Sequence, residues 1–291
     1  MYKNGKGRTM EFITVSGRKA GPVGLGTWHL GEDRARESAE IAAIRTGIEN
    51  GMTLIDSAEM YANGLSEELA GKAVKGYDRE GLYIVSKVYP HNAGRRGIDR
   101  SIDNSLKRLR MDYLDLYLLH WRGYIPFSET IECMEKLIEQ GKIRSWGVSN
   151  MDLDDMEELL VLPGGDHCMT DQVLYHLGNR GIEYELLPYL QSRSIPVMAY
   201  CPLAQAGKLR DGLFANASVK EIAAAHNATP AQILLAFLLH QQGVIPIPRT
   251  GSAAHVVENA GAANIRLTAD ETALLDRAFP APQHKVPLDV Q

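Results

Sequence analysis

Hydrophobic positions along this chain alternate between two patterns. Short, nearly continuous apolar runs recur, among them Thr53-Leu54-Ile55-Asp56, Leu82-Tyr83-Ile84-Val85-Ser86-Lys87 and Leu114-Asp115-Leu116-Tyr117-Leu118-Leu119-His120. Runs of this length, rich in branched and aromatic residues, predict buried strands. Between them, apolar residues recur at helical spacing, as in Ile41, Ala42, Ile44 and Ile48, and again in Ile102, Leu106 and Leu109. The spacing predicts helices over 36–50, from Ser66 onward, and over 98–109, 130–140, 153–161, 183–192, 230–240, 251–259 and 269–278. An inserted helix is predicted over 219–226. Ser66 is a candidate cap, and Gly51 and Gly141 are helix stops.

The predicted strands end near residues 26, 56, 87, 120, 149, 173, 200 and 247. The early steps are about thirty residues, the length of one strand-helix-strand unit. Eight such units predict an α/β chain folded as a (β/α)8 TIM barrel with extra helices. Residues 12–15, the turn Ser16-Gly17-Arg18-Lys19 and residues 20–23 read as a hairpin closing the barrel bottom. The competing architecture is an open doubly wound sheet with a Gly-x-Gly-x-x-Gly turn. Here Gly24-Leu25-Gly26 runs into Thr27-Trp28-His29, so the third glycine is missing. No linker divides the sequence, and one domain over 1–291 is expected. Residues 1–9 read as a poorly packed start and 280–291 as a flexible tail.

Composition narrows the partners. Net charge is −5, which gives no general attraction to nucleic acid or an anionic membrane. No apolar run approaches the roughly 18–20 residues of a spanning helix. Cys133, Cys168 and Cys201 are widely spaced, which fits a reducing cytoplasm rather than a disulfide framework. The sequence leaves the oligomeric state open, and a monomer is compatible with it.

Asp56, Lys87 and His120 close successive strands, and Tyr61 follows Asp56 by one short loop. In a parallel barrel these strand ends share the face that carries chemistry. A lysine ammonium beside a phenol favours phenolate and would lower its pKa. Asp56 would hold Lys87 through a charge-assisted hydrogen bond. Tyr61 then acts as a general acid, with neutral His120 holding the oxygen that gains charge. Taken singly, each residue has an ordinary reading: a structural ion pair, a barrel histidine, a packed loop tyrosine. Their matching positions on consecutive strands favour the joint reading. No second carboxylate suits glycoside hydrolysis, and no nucleophile elbow is present. His29, His91, His167 and His176 lack metal-ligand spacing, so no metal is expected. The set suits carbonyl reduction, which needs an external hydride donor.

Several motifs then carry a family resemblance. Asp56-Ser57-Ala58-Glu59-Met60-Tyr61 with Gly64 and Glu67, Leu116-Tyr117-Leu118-Leu119-His120-Trp121, Trp146-Gly147-Val148-Ser149-Asn150 and Ile247-Pro248-Arg249-Thr250 resemble the aldo-keto reductases. The resemblance runs from about Phe12 to Ala278. It implies a barrel that binds a nicotinamide cofactor without a Rossmann domain, and a tetrad of Asp56, Tyr61, Lys87 and His120. It implies that Ser149, Asn150 and Gln172 hold the nicotinamide carboxamide, with Tyr200 stacked on the ring and Gly26, Thr27 and Asp56 nearby. Cys201, Pro202, Leu203 and Gln205 would line the pyrophosphate. Ile247, Pro248, Arg249, Thr250, Ser252, His255, Glu258 and Asn259 would surround the adenosine end. Trp28, Tyr89 and Trp121 would wall the substrate pocket.

Two departures from the family pattern bear on the cofactor. Arg249 stands where many members have lysine, and His255 where many have arginine. Arg249 and Thr250 still favour a 2′-phosphate, hence NADPH. Residues 122–126 form only a short segment after Trp121, so an open, tolerant site is expected. The resulting expectation is a cytoplasmic, NADPH-dependent reductase of aldehydes or ketones. Two alternatives stand beside it: a cofactor-holding regulatory subunit with slow turnover, and a Schiff-base lyase using Lys87.

Overall fold

The structure, a computed structural model, describes residues 13–15 and 18–290. Strands β1 (Ile13–Val15) and β2 (Arg18–Ala20) pair antiparallel, with Ile13 opposite Ala20. The expected Ser16-Gly17 turn and the expected loose start at 1–9 lie outside the described residues. Next, β3 (Leu25–Gly26), β4 (Leu54–Asp56), β5 (Tyr83–Val88), β6 (Leu116–Leu119), β7 (Trp146–Ser149), β8 (Cys168–Leu174), β9 (Val197–Tyr200) and β10 (Val244–Pro246) form an eight-stranded parallel sheet in chain order. The sheet closes on itself. Gly24 N–H donates to Pro246 O at 2.9 Å and Gly26 N–H to Pro248 O at 3.1 Å. A Cβ on Gly26 would stand 2.9 Å from Ile247 O, so this closure requires glycine. The expected (β/α)8 barrel is the fold.

Strand alternation sorts each apolar run into two faces. Leu54, Tyr83, Val85, Leu116, Leu118, Met198, Ile245 and Ile247 pack together inside the barrel, with Ala20 of the hairpin among them. Ile55, Ile84, Val88, Tyr117 and Leu119 belong instead to the core between barrel and helices. Asp56, Lys87 and His120 have the parity of Leu54, Val85 and Leu118. They therefore project into the barrel above its apolar filling.

The outer layer comprises α1 (Glu37–Glu49), α2 (Leu65–Ala73), α3 (Ile98–Leu109), α4 (Phe127–Glu139), α5 (Leu153–Leu160), α6 (Leu186–Ser192), α7 (Lys208–Ala215), α8 (Ala217–Ala225), α9 (Pro230–His240), α10 (Ala253–Gly261) and α11 (Ala269–Ala278). The bounds of α3, α9 and α11 coincide with the expected ones. In α9 and α11 the start is written in the sequence as capping boxes, Thr229 with Gln232 and Thr268 with Glu271. Ser66 is not a cap: α2 starts at Leu65 behind Gly64, and Ser66 Oγ donates to Leu30 O at 2.5 Å. Before α8 lies α7, which the sequence reading did not foresee because Gly207 and Gly212 interrupt its apolar period.

Residues 280–290 are irregular, as expected, yet they are docked rather than loose. Lys285 Nζ lies 2.8 Å from Glu185 Oε1 and 3.2 Å from Asp154 Oδ1. Asn179 Nδ2 donates to Asp289 Oδ2 at 2.8 Å. Among the described residues no single helix is long and apolar enough to cross a membrane. The most apolar stretch, α8 with α9, is bent by 89°. Ile233 through Leu238 of α9 are buried in the core.

Candidate active site at the C-terminal mouth

Lys87 Nζ is the centre of the site. It lies 2.8 Å from both Asp56 carboxylate oxygens, 2.7 Å from Ser57 O and 3.1 Å from the Tyr61 hydroxyl. Lys87 is 0% exposed and Asp56 2%. An ammonium has three protons and no acceptor, and this environment receives all three. Because Lys87 donates to the Tyr61 oxygen, the tyrosine's own proton is left for a group in the cavity. The two Tyr61 neighbours are arranged around it: Lys87 Nζ sits 4.6 Å from the ring centroid, and the His120 ring meets Tyr61 edge-on at 5.8 Å.

The chain places Tyr61 with an unusual turn. Tyr61 to Gly64 forms a tight helical turn in which Ala62 and Asn63 have left-handed backbone angles. Thr27 Oγ donates to Asp56 O and Ser57 Oγ, both at 3.0 Å, which fixes the end of β4.

Burial dominates the electrostatics. It pushes the Tyr61 phenol well above its ordinary range, with the Asp56 charge acting in the same direction. Lys87 was expected to lower the phenol's pKa; the net direction is upward, with burial the largest cause. Burial also lowers the Lys87 pKa, against the opposing pull of Asp56. His120 is held well below the ordinary imidazole range, by burial first and by the Lys87 charge second. It is therefore neutral. Its Nδ1 is buried with no hydrogen-bond partner, so the polar function of the ring falls to Nε2.

A cavity of about 390 Å³ opens beside these groups. It is lined by Trp28, Met60, Tyr61 and His120, by Ser149, Asn150, Gln172 and Tyr200, and by Arg210 and Arg249. Gly26, Cys201, Pro202, Leu203, Gln205, Ile247 and Pro248 complete the wall as expected. His29, Met60, Ala204, Ala206 and Arg210 also line it and were not foreseen. Arg210 sits on the unforeseen helix α7, so no element was expected to present it. Tyr89 and Trp121 stand behind the first layer. Trp121 packs on His120 at 4.8 Å and Tyr89 on Trp121 at 5.8 Å. Thr250, Ser252, His255, Glu258 and Asn259 lie outside the cavity wall at the start and along the length of α10. There Ser252 Oγ accepts the His255 N–H at 3.5 Å, and Asn259 is buried.

The cavity wall suits a carboxamide beside a flat ring. Gln172 Nε2 donates to Asp56 Oδ1 at 2.8 Å. A carboxylate only accepts, so the amide orientation is set and Oε1 is left to an occupant of the cavity. Asn150 Nδ2 donates to His120 O and Ser149 Oγ, both at 3.1 Å, and Tyr200 hydroxyl donates to Asn150 Oδ1 at 2.8 Å. Tyr200 is thereby pinned by its tip with its ring on the cavity wall. Amide and hydroxyl groups, an aromatic face and two guanidiniums on the wall of one cavity suit a phosphorylated nicotinamide dinucleotide.

The chain resembles known proteins along most of its length. The model of the "Aldo/keto reductase family" matches residues 22–279. The chain is 56% identical over 281 residues to the methylglyoxal reductase YeaE of Escherichia coli (strain K12), covering 96% of this chain and 99% of that protein. It is 36% identical over 259 residues to the glyoxal reductase of Bacillus subtilis (strain 168), covering 87% of each. Among solved structures, an aldo/keto reductase from Klebsiella pneumoniae in complex with NADP and acetate superposes with a TM-score of 0.94 at 52% identity, covering 97% of this chain and 100% of that one. A closed barrel, a buried Asp-Lys-Tyr cluster at its mouth and likeness along nearly the whole sequence lead to one assignment: this chain belongs to the aldo/keto reductase family.

Proposed function

We infer that the protein reduces small aldehydes or ketones to alcohols with NADPH, and that Tyr61 delivers the proton. The observation that carries this reading is the 3.1 Å contact between Lys87 Nζ and the Tyr61 hydroxyl. Reduced nicotinamide supplies a hydride to the carbonyl carbon when bound. The chain's own groups do the rest. Gln172, Asn150 and Ser149 orient the carboxamide, and the Tyr200 ring supports the planar face. His120 Nε2 and the Tyr61 hydroxyl hold the carbonyl oxygen, which gains negative charge as the carbon is reduced. Tyr61 gives that oxygen its proton and becomes phenolate, and the adjacent Lys87 ammonium stabilises the charge. Asp56 keeps the ammonium in place. Arg249, helped by Thr250, Ser252, His255, Glu258 and Asn259, binds the adenosine phosphate, while residues 201–205 and Arg210 flank the diphosphate.

The two relatives named above are a methylglyoxal reductase and a glyoxal reductase, and Trp28, Met60, Tyr61 and His120 are among the residues lining the cavity. A small 2-oxoaldehyde is therefore the proposed substrate class. One barrel domain in a reducing cytoplasm completes the reading, with which the free Cys133, Cys168 and Cys201 are compatible. The Schiff-base alternative does not suit Lys87, whose protons are already engaged by Asp56, Ser57 and Tyr61.

The test is NADPH oxidation with methylglyoxal, glyoxal and an aromatic aldehyde. Turnover on the order of 1 s⁻¹ or faster is expected with at least one of them. Tight NADPH binding with no turnover on any would instead favour the regulatory-subunit reading.

A further inference from the structure

The turn carrying Tyr61 rests on a buried ion pair that takes no part in the reaction. Three consecutive residues after Tyr61 have left-handed backbone angles, with φ of 50° at Ala62, 55° at Asn63 and 91° at Gly64. Such conformations persist where the surroundings over-determine them. Here the surroundings are the Arg108 side chain, reaching over from α3. A Cβ on Gly64 would stand 2.6 Å from Arg108 Cδ.

Arg108 is itself fixed. Its Nε donates to Glu67 Oε2 at 2.5 Å, and its Nη2 donates to Ser105 Oγ at 3.2 Å. Glu67, on α2, is 0% exposed. Its other oxygen, Oε1, accepts the Ser86 hydroxyl at 2.5 Å. Ser86 immediately precedes Lys87 on β5 and faces the helices, while Lys87 faces the lumen. One carboxylate thus joins two lines of contact. One runs through Arg108 and Gly64 to the turn of Tyr61, and the other through Ser86 to the strand of Lys87.

We propose that Glu67 and Arg108 are positioning residues for the general acid, because the pair sets the separation between the Tyr61 hydroxyl and Lys87 Nζ. The proposal rests on the reading of Tyr61 as proton donor. A planar guanidinium suits the task. It fills the space under a glycine while bonding at two points in fixed directions. A buried carboxylate with both oxygens engaged cannot shift without losing a partner. Misplacement of a reacting group by about 1 Å can lower a rate by roughly a hundredfold, so a small drift of the turn would be visible.

The test compares Arg108→Met and Arg108→Lys with the parent protein. For a folded Arg108→Met, kcat for methylglyoxal should fall roughly ten- to a hundredfold. NADPH affinity and KM should change little, and the thermal transition should stay above the assay temperature. Arg108→Lys, which keeps the charge, should recover part of kcat. A crystal structure of Arg108→Met should show the Tyr61 hydroxyl farther from Lys87 Nζ than 3.1 Å. Unchanged kcat, or an unchanged separation, would overturn the proposal. So would a loss shared equally by NADPH affinity, which would mark a general structural role. If Arg108→Met does not fold, Gly64→Ala decides by the same measurements. It keeps the ion pair but drives a Cβ against Arg108, and parental kcat in it would overturn the proposal. If the parent protein reduces no carbonyl, the functional reading falls. The Tyr61 to Lys87 separation in the variant crystal would still decide the positioning.

Discussion

Gln172 donates its side-chain amide to Asp56 across 116 residues of sequence, at 2.8 Å in the barrel lumen. A residue of the cavity wall, proposed to face the carboxamide, is therefore bonded to the residue that holds Lys87. Replacing Gln172 by Met keeps the volume while removing the amide's donor and its acceptor. A hydrogen bond contributes about 0.5–1.5 kcal/mol net, so NADPH affinity should fall roughly two- to tenfold. Fluorescence titration of the cofactor checks this, and an unchanged dissociation constant would detach Gln172 from the carboxamide.

Tyr61→Phe removes the proton donor and little else. General acid catalysis contributes roughly 10²–10⁴-fold, and kcat should fall within that range. NADPH binding should remain, because the rest of the cavity wall is untouched. The variant also leaves one Lys87 proton without its acceptor, at a cost of about 1–3 kcal/mol in unfolding free energy. Steady-state rates and denaturant unfolding measure the two effects separately, and parental turnover in Tyr61→Phe would remove the assigned acid.

Stability should fall as pH drops below the ordinary histidine range. His176 is buried, its Nδ1 accepts the Gly178 N–H at 3.1 Å, and burial lowers its pKa to about 4 despite the opposing Asp289 charge. Below about pH 6.5 the unfolded chain takes up a proton that the folded chain refuses. The contribution is thus complete above that pH and is lost progressively on the way down to about 4. The slope from this one group approaches about 1.4 kcal/mol per pH unit. His120, shifted in the same direction, adds to it. Melting temperatures at pH 7 and pH 5 should converge in His176→Gln, which keeps an acceptor for Gly178; an unaltered difference would rule His176 out as a contributor.

Arg249 lines the cavity and pairs with Gly26 across the barrel closure. A charge-assisted hydrogen bond contributes about 1.5–3 kcal/mol, or roughly ten- to a hundredfold in affinity. Arg249→Ala should weaken NADPH by that factor and NADH much less. Equal loss for both cofactors would discard the phosphate clamp.

The barrel was legible because its period is long and regular. Each apolar run ended within one residue of a strand end, and the capping boxes of α9 and α11 lie at those helix starts. Tyr61 was legible as a neighbour of Asp56, but the direction of its pKa shift was not. That direction depends on how completely the pocket excludes water, which no local pattern records. Arg210 was hidden for a different reason: glycines interrupt α7, and its presenting helix left no apolar stripe. The docked tail was hidden too, because Lys285 and Asp289 meet partners more than a hundred residues away. Glu67 stood within a recognised motif, but its link to the turn of Tyr61 runs through Arg108, one helix farther on.

The bonds from Gly24 and Gly26 to Pro246 and Pro248 make a seam between the earliest and the latest staves. Gly26, Ile247, Pro248 and Arg249 sit on that seam and also touch the cofactor space. A nascent or partly unravelled chain whose final stave is undocked has half a binding cleft. A dinucleotide held in this cavity, as proposed, would bind the closed barrel, and at a hundred times its dissociation constant it would favour that form by about 2.7 kcal/mol.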